Sequence, residues 1–132
     1  MTEPHHGKCV SGIFLTFSGN CKEALTFYQT CFGGTLRFET FETGLKGYAE
    51  KPVVNASLIS DTICMYGSDL VHNEGRILGN YMAIFMPCKN VAVRRELIQK
   101  LEVNKPVFLS RNYDEKLIEI TDRFDVRWVL YF

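Results

Sequence analysis

The sequence predicts an α+β protein made of two similar halves in tandem, each with the element order βαβββ. Short apolar runs typical of buried strands alternate with segments whose apolar residues recur at helical spacing. Landmarks of the first half return 70 residues later: Asn20 corresponds to Asn90, Gly34 to Asn104 and Phe38 to Phe108. One half alone would bury little core, so we expect the two to pack as one domain. The alternative is a chance match, since strands and helices alternate in any α+β protein.

The first half begins with a predicted strand, the run IFLTF at residues 13–17. Asn20 then starts a helix, because Asn is a favoured N-cap and Glu23 follows three residues later, as in a capping box. Gly33 and Gly34 end that helix, since glycine tolerates the left-handed C-cap conformation. Its apolar residues recur at helical spacing: Cys21, Ala24, Leu25, Tyr28, Cys31 and Phe32. TLRFETF is the next predicted strand, and residues 43–52 form a loop. VVNASLIS and TICMYG are then expected to pair in a hairpin that turns at Ser60-Asp61.

The second half repeats this order. YMAIFM at residues 81–86 predicts its first strand, Asn90 caps its helix, and Asn104 ends it. Apolar residues at helical spacing in that helix are Val93, Leu97, Ile98 and Leu101. Residues 106–109 are extended, and KLIEI and VRWVLYF are the last two strands. Further correspondences are Phe14 with Ile84, Leu15 with Phe85, and, at an offset of 61, Ile59-Ser60-Asp61 with Ile120-Thr121-Asp122. The prediction is a single domain, residues 1–132, with modules 9–68 and 79–132 and a linker at 69–78.

Composition and charge narrow the classes of function. Lys plus Arg and Asp plus Glu number 15 each, so no net field attracts DNA or an anionic membrane. No apolar stretch is long enough to cross a bilayer, and MTEPHHGK lacks the apolar segment of a signal peptide. We therefore expect a cytoplasmic protein with neither a nucleic-acid nor a membrane partner. The five scattered cysteines form no CxxC pair, which favours buried, reduced thiols over disulfides or a zinc site.

Three segments resemble the PhnB-type proteins of the vicinal-oxygen-chelate, or glyoxalase-like, superfamily. The first is FSGNCKEALTFYQTCFGG, which resembles an F-x-G-N-C segment leading into a helix that ends F-Y-x-x-x-F-G-G. The second is MYGSD, which resembles M-G-S-D with Tyr66 inserted. The third is TDRFDVRWVLY, which resembles T-D-R-F-G-V-x-W with Asp125 in place of glycine. The resemblance spans nearly the whole chain and implies the glyoxalase/bleomycin-resistance-like fold. In that fold, curved mixed sheets of paired βαβββ modules enclose a small-molecule cavity, often in a homodimer.

The resemblance also implies a metal site, for which this chain lacks suitable ligands. Superfamily enzymes usually hold a divalent metal with His, Gln or Glu from the first and last strands of each module. Those positions fall here at residues without a carboxylate or imidazole: Gly12 or Ile13, Met65 or Tyr66, Met82 or Ala83, and Val129. His5 and His6 lie in a predicted tail and His72 in the linker, where side chains are usually solvated. No cofactor is therefore expected, and a divalent metal only if these positions are misplaced by a residue or two.

Six residues are candidates for contacts with a ligand in the implied cavity. Arg127 and Tyr131 share a strand face with Val129, because strand residues alternate sides. Arg127 would suit a carboxylate or phosphate, or else pair with an acid at the rim. Glu119 lies in an apolar strand, and is either a general base desolvated beside an arginine or an outward-facing surface residue. The others depart from the family pattern: Tyr113 where relatives often have Trp, Asn55 where many have His, and the inserted Tyr66.

Three residues of the closing hairpin have structural interpretations. Trp128 faces away from Arg127 and is predicted to pack in the core. Asp122 is predicted to cap its own turn, and Asp125 to occupy a position where glycine permits positive φ.

The sequence thus predicts a metal-free protein of unassigned activity that binds a small and, given Arg127, anionic molecule. A metal-dependent lyase, isomerase or dioxygenase of the same superfamily is the alternative, and a structural role as a dimer module is the third. No catalytic residue is assigned.

Overall fold

The structure is a computed structural model that describes residues 11–40, 52–69, 78–105 and 111–132. The chain divides into two compact units, Met1–Arg76 and Ile77–Phe132. Each combines one helix with one mixed sheet, which confirms the predicted α+β class. The module boundaries, the linker at 69–78 and the packing of both modules as one domain stay predictions. The loop predicted at 43–52 lies, except for Pro52, outside the described residues.

The first unit has the predicted order βαβββ. Its elements are β1 (Ile13–Phe17), α1 (Cys21–Phe32), β2 (Thr35–Thr40), β3 (Val53–Ile59) and β4 (Cys64–Asp69). The strand order is β1-β4-β3-β2, with β1 parallel to β4 and the other neighbours antiparallel. The β3–β4 hairpin turns at Ser60-Asp61 as predicted, and Ser60 Oγ accepts a hydrogen bond from the Ile63 backbone N–H at 3.0 Å.

Helix α1 packs on this sheet through the side chains whose spacing predicted it. Cys21, Ala24, Leu25 and Tyr28 are fully buried, and burying a Leu-sized side chain contributes roughly 1.5–3 kcal/mol. The helix approaches β4 closely at Gly67, where a Cβ atom would lie 3.2 Å from Cys21 Sγ. At the other end, Gly33 and Gly34 have φ of 72° and 100°, so they end the helix as predicted.

The N-terminus of α1 is held by a residue that the sequence analysis did not single out. Asn20 occupies the N-cap position, yet its side chain makes no capping bond among the described residues. Instead the buried Asp69, at the end of β4, accepts hydrogen bonds from the backbone N–H groups of Gly19 (2.8 Å) and Cys21 (3.0 Å) through Oδ1. Its Oδ2 accepts from the Val53 N–H at 2.8 Å. One carboxylate therefore joins α1, β3 and β4, where the positive end of the helix dipole favours negative charge.

The second unit contains β5 (Ile84–Pro87), α2 (Val91–Leu101), β6 (Leu117–Thr121) and β7 (Arg127–Tyr131). The strand order is β5-β7-β6, with β5 parallel and β6 antiparallel to β7. Strand β5 begins at Ile84, three residues after the predicted start. Asn90 caps α2 as predicted, since its Oδ1 accepts from the Val93 N–H at 2.8 Å. The strand predicted at 106–109 lies outside the described residues.

The two units agree with the 70-residue repeat in their helices but not in their first strands. Gly34 and Asn104 both have positive φ, although α2 itself ends at Leu101. Phe14 pairs with Tyr66, whereas its predicted counterpart Ile84 pairs with the fully buried Trp128. The predicted match of these strands is therefore wrong by one residue, because a one-residue slip moves every side chain of a strand to the opposite face.

The closing hairpin confirms its structural interpretation. Trp128 is fully buried, and Asp122 Oδ1 accepts from the backbone N–H groups of Phe124 (2.8 Å) and Val126 (3.2 Å). Asp122 also accepts from Trp128 Nε1 at 2.8 Å through Oδ2, so the turn residue anchors the core indole. Asp125 has a φ of 65°, the left-handed conformation expected at this position.

The described cysteines, Cys21, Cys31, Cys64 and Cys88, form no disulfide; Cys21 and Cys64 are buried and the other two partly buried. Burial, together with the neighbouring Asp69 carboxylate, raises the pKa of the Cys21 thiol to about 12. Within the described ranges, the helices are too short or too polar to span a bilayer.

Candidate functional site

One face of the second unit's sheet is core and the other is exposed. Ile118, Ile120, Trp128 and Leu130 alternate along β6 and β7 and are buried. The residues between them form what we call the open face: Leu117, Glu119 and Thr121 of β6, Arg127, Val129 and Tyr131 of β7, and Phe85 of β5. Phe85 is 58% exposed and Leu117 54%. A contiguous patch of such side chains, unlike a single exposed one, is typical of a surface that contacts a ligand or another macromolecule.

Arg127 and Glu119 form an ion pair on the open face. Arg127 Nη2 donates to Glu119 Oε1, and the side chains are 21% and 54% exposed. Nη1 donates to the backbone carbonyls of Asn80 (2.5 Å) and Met82 (3.0 Å). The guanidinium is thus held in one orientation by two separate segments of the unit. Glu119 is half-exposed, so it lacks the desolvation that the general-base hypothesis requires.

Strand register places Arg127 and the aromatic pair at different levels of the open face. Arg127 pairs with Thr121 across β7 and β6. Val129 is two residues further along β7 than Arg127 and lies between Phe85 and Glu119. Tyr131 is two residues further again and lies beside Leu117. The rings of Phe85 and Tyr131 are 6.0 Å apart between centroids, at 32° to one another. Two residues of strand advance about 6.7 Å, so Phe85 lies one such step and Tyr131 two such steps from the level of Arg127, whereas Glu119 and Phe85 flank Val129 in one row.

Tyr113 lies apart from this group. Its ring contacts the guanidinium carbons of Arg95, at 4.4 Å from the ring centroid, and Arg111, at 5.8 Å. Arg111 is also paired with both carboxylate oxygens of Glu102, and this hydrogen bonding raises the pKa of Arg111. Within the described residues, no contact joins Tyr113 to Arg127. Its predicted contribution to a ligand site stays a prediction.

Tyr66 and Asn55 belong to the first unit, where they share a sheet face. Tyr66 pairs with Ser57 in the hairpin, and Asn55 is two residues from Ser57 on β3, so all three project to the same side. Tyr66 is partly buried and Asn55 exposed. The structure therefore groups the six predicted residues as Arg127, Glu119 and Tyr131 together, Tyr66 and Asn55 on one face of the first unit, and Tyr113 separately.

The positions expected for metal ligands do not fit a divalent metal. A Cβ atom at Gly12 would lie 2.5 Å from Tyr66 Cε2, so the tyrosine ring fills the space that a ligand side chain at Gly12 would need. Met65 is fully buried in the core, and Val129 offers only an apolar side chain. Across residues 11–40, 52–69, 78–105 and 111–132, no three His, Cys, Asp or Glu side chains group as a metal site. His5, His6 and His72 lie outside these ranges.

Sequence reasoning missed a buried arginine in the second unit. Arg94 is fully buried, while Val93, which was assigned to the apolar helix face, is 44% exposed. The Arg94 guanidinium donates to four backbone carbonyls, those of Tyr113, Glu115, Lys116 and Leu130. It also lies 4.3 Å from the Phe132 ring centroid. The spacing Arg94, Ile98, Leu101 is itself helical and could have indicated that the arginine faces inward.

Solved structures share this architecture. Protein PA1353 from Pseudomonas aeruginosa matches with a TM-score of 0.71 at 24% identity, over 94% of this chain and 97% of that chain. The PhnB protein from Bacillus cereus gives 0.69 at 20% identity, over 92% and 97%. A mutant of the fosfomycin resistance protein FosX from Listeria monocytogenes, complexed with Mn(II) and 1S,2S-dihydroxypropylphosphonic acid, gives 0.57 at 15%, over 93% and 90%. No family model and no curated protein matches the chain.

Proposed function

We propose that this chain, which has the vicinal-oxygen-chelate or glyoxalase-like fold, binds a small organic anion on the open face of its second unit without a metal. The observation that carries the proposal is Arg127, a partly exposed guanidinium fixed in place among exposed apolar side chains. Small-molecule sites combine mostly apolar side chains with a few polar groups held in fixed positions, and the open face offers both kinds of side chain.

Arg127 retains donors for an incoming anion. A guanidinium has five N–H groups, and the described contacts use three of them, two on Nη1 and one on Nη2. The described contacts leave the Nε–H and one Nη2–H for the ligand, and a carboxylate has two oxygens with which to accept from one guanidinium. The backbone carbonyls hold the group in place before the ligand arrives, which reduces the entropy lost on binding.

Glu119 sets the selectivity of this site. Its carboxylate lies beside the same guanidinium, so it repels a simple monoanion and competes with it for Nη2. A ligand that carries a hydroxyl or amine next to its anionic group would instead donate to Glu119. We therefore expect Glu119→Gln to strengthen the binding of a simple monoanion about threefold, since exposed charge interactions are worth roughly 0.2–1 kcal/mol.

Two observations support this proposal, one from a structural neighbour and one from the residues of this chain. FosX, a neighbour in fold, is complexed with a small phosphonic acid. That complex also contains Mn(II), whereas Gly12, Tyr66, Met65 and Val129 supply no ligand for such an ion here.

The test is a titration with sodium butanoate, in which the backbone amide signals are monitored by NMR with a chelator present and the ionic strength held constant. We expect saturable shifts of β6 and β7 amides, no response to neutral butanamide, and loss of binding in Arg127→Gln. Arg127→Lys keeps the charge without the planar fork and should bind more weakly than the wild type. Arg95→Gln, with the same charge change on α2, is the matched control. Equal binding in Arg127→Gln, or near-stoichiometric divalent metal in protein purified without chelator, would overturn the proposal.

The cytoplasmic location and the homodimer are also proposals, supported by the sequence pattern and by the resemblance respectively. Sedimentation velocity tests the homodimer, and a single species at the 15.1 kDa chain mass would contradict it. Fractionation of the producing cells tests the location.

A further inference from the structure

The open face has a direction along β7, where Arg127 is followed on the same side by Val129 and then Tyr131. Arg127 is the first residue of β7, and its ion-pair partner Glu119 lies on β6 opposite Val129; the other side chains toward the end of β7 are apolar. Val129, Phe85, Tyr131 and Leu117 form a continuous apolar strip across all three strands. Glu119 is the only charged side chain paired directly with a residue of this strip in the described registers of the second unit.

The strip is wide enough to cover a ligand body and not only to flank an anionic head. Phe85 and Leu117 lie on the two outer strands, with Val129 and Tyr131 between them. The Phe85 and Tyr131 rings are inclined at 32°, and so present two differently tilted apolar surfaces at one end of the strip. The strip runs at least one two-residue step, about 6.7 Å, from the level of Arg127.

Resting on the proposed function, we infer that the ligand class is an amphiphilic monocarboxylate: its head binds Arg127, and an unbranched or aryl-terminated apolar chain lies along β7 toward Tyr131. A purely polar anion such as acetate would satisfy the guanidinium and leave the apolar strip exposed to water. A neutral apolar molecule would cover the strip and leave the guanidinium without a new partner. Only a molecule with both parts matches the order of side chains on this face.

The inference predicts a dependence on chain length. Full burial of one methylene strengthens binding about fourfold. A chain that lies on one face of a sheet is buried on one side only and gains about half of that free energy. Half of the free energy corresponds to about twofold in Kd per methylene. From acetate through butanoate and hexanoate to octanoate, each step should therefore lower Kd about fourfold. Hexan-1-ol should bind at least tenfold more weakly than hexanoate. The double variant Phe85→Ala, Leu117→Ala should flatten the series; Val93→Ala, an exposed apolar truncation on α2, is the control and should leave the series as steep as in the wild type.

The outcomes separate this inference from the proposed function. If Arg127-dependent binding occurs but Kd is the same from acetate to octanoate, the amphiphilic ligand class is refuted and the proposed function stands. If no acid binds in an Arg127-dependent way, the proposed function fails. The strip could instead be covered by a second copy of the chain, and sedimentation velocity of the wild type and the double variant tests this alternative. If the wild type is a dimer that the two substitutions dissociate, the inference is overturned.

Discussion

Asp69 should contribute more to the stability of the first unit than the residue at the N-cap position of α1. Asp69→Asn keeps the size of the side chain but replaces the carboxylate by a neutral amide. The amide oxygen can still accept from Gly19 and Cys21, but the amide nitrogen would then face the Val53 N–H, which now bonds to Oδ2. Two donors would face each other in a buried place.

The size of the effect follows from these contacts. Leaving a buried donor unsatisfied costs about 1–3 kcal/mol, and removing a negative charge from a helix N-terminus costs roughly 0.3–1 kcal/mol more. We therefore expect Asp69→Asn to lower the free energy of unfolding by roughly 1.3–4 kcal/mol, a large part of the ~5–15 kcal/mol typical of a folded protein.

Two asparagines at N-cap positions provide matched controls. Asn90 makes a side-chain capping bond and Asn20 makes none among the described residues. Asn90→Ala should therefore cost about 1 kcal/mol, as N-cap truncations usually do, and Asn20→Ala less than about 0.5 kcal/mol. Urea unfolding followed by circular dichroism gives the three values, and amide hydrogen exchange shows whether the loss for Asp69→Asn is centred on α1. Equal costs for the two asparagines, with Asp69→Asn below 1 kcal/mol, would refute this account of the helix.

Three further predictions concern buried polar groups. Arg94→Ala should lower the free energy of unfolding by more than about 3 kcal/mol, because four backbone carbonyls lose a charged donor. The control is Arg95→Ala, at an exposed neighbouring residue, which should cost under about 1 kcal/mol. Similar urea midpoints for the two variants would contradict this prediction. Asp122→Ala should cost about 2–4 kcal/mol. It should also shift the emission of Trp128, the single tryptophan, to shorter wavelength, since the buried indole N–H loses the carboxylate acceptor that stabilises its excited state; an unchanged spectrum and midpoint would count against it. The buried Cys21 thiol has its pKa raised from 9.0 to about 12. The unfolded chain therefore loses this proton first, and the free energy of unfolding falls as pH rises from about 9 towards 12. Urea unfolding across that range should show a smaller fall for Cys21→Ala than for the wild type, and an identical fall in both proteins would contradict the prediction.

The sequence predicted most elements of the fold because local signals and packing agree there. The pattern of Cys21, Ala24, Leu25 and Tyr28, with two glycines after it, determines α1 almost completely. The match of β1 with β5 was wrong because a 70-residue offset read from the helix caps says nothing about which side of a strand faces the core. Asn20 was correctly placed at the helix start, but its role falls to Asp69, which is 48 residues beyond Cys21 and reaches it only through the pairing of β4 with β1.

In the candidate site, too, some features follow from local sequence pattern and others depend on contacts between distant segments. That Arg127 and Tyr131 share a face follows from the two-residue period of a strand. The pairing of Arg127 with Glu119 across the hairpin, and its contacts with the Asn80 and Met82 carbonyls, depend on register and on chain segments distant in sequence. Arg94 was missed because arginine is seldom buried, and the backbone carbonyls that accept from it belong to residues distant in sequence, Tyr113, Glu115, Lys116 and Leu130.

The most direct test of the central claim is a crystal structure of the protein with hexanoate, grown with a chelator present. We expect the carboxylate within hydrogen-bonding distance of the Arg127 guanidinium, and the chain along β7 over Val129 towards Tyr131, with no metal ion between acid and protein. Hexanoate bound elsewhere with the Arg127–Glu119 pair unchanged, or held through a metal ion, would contradict the account.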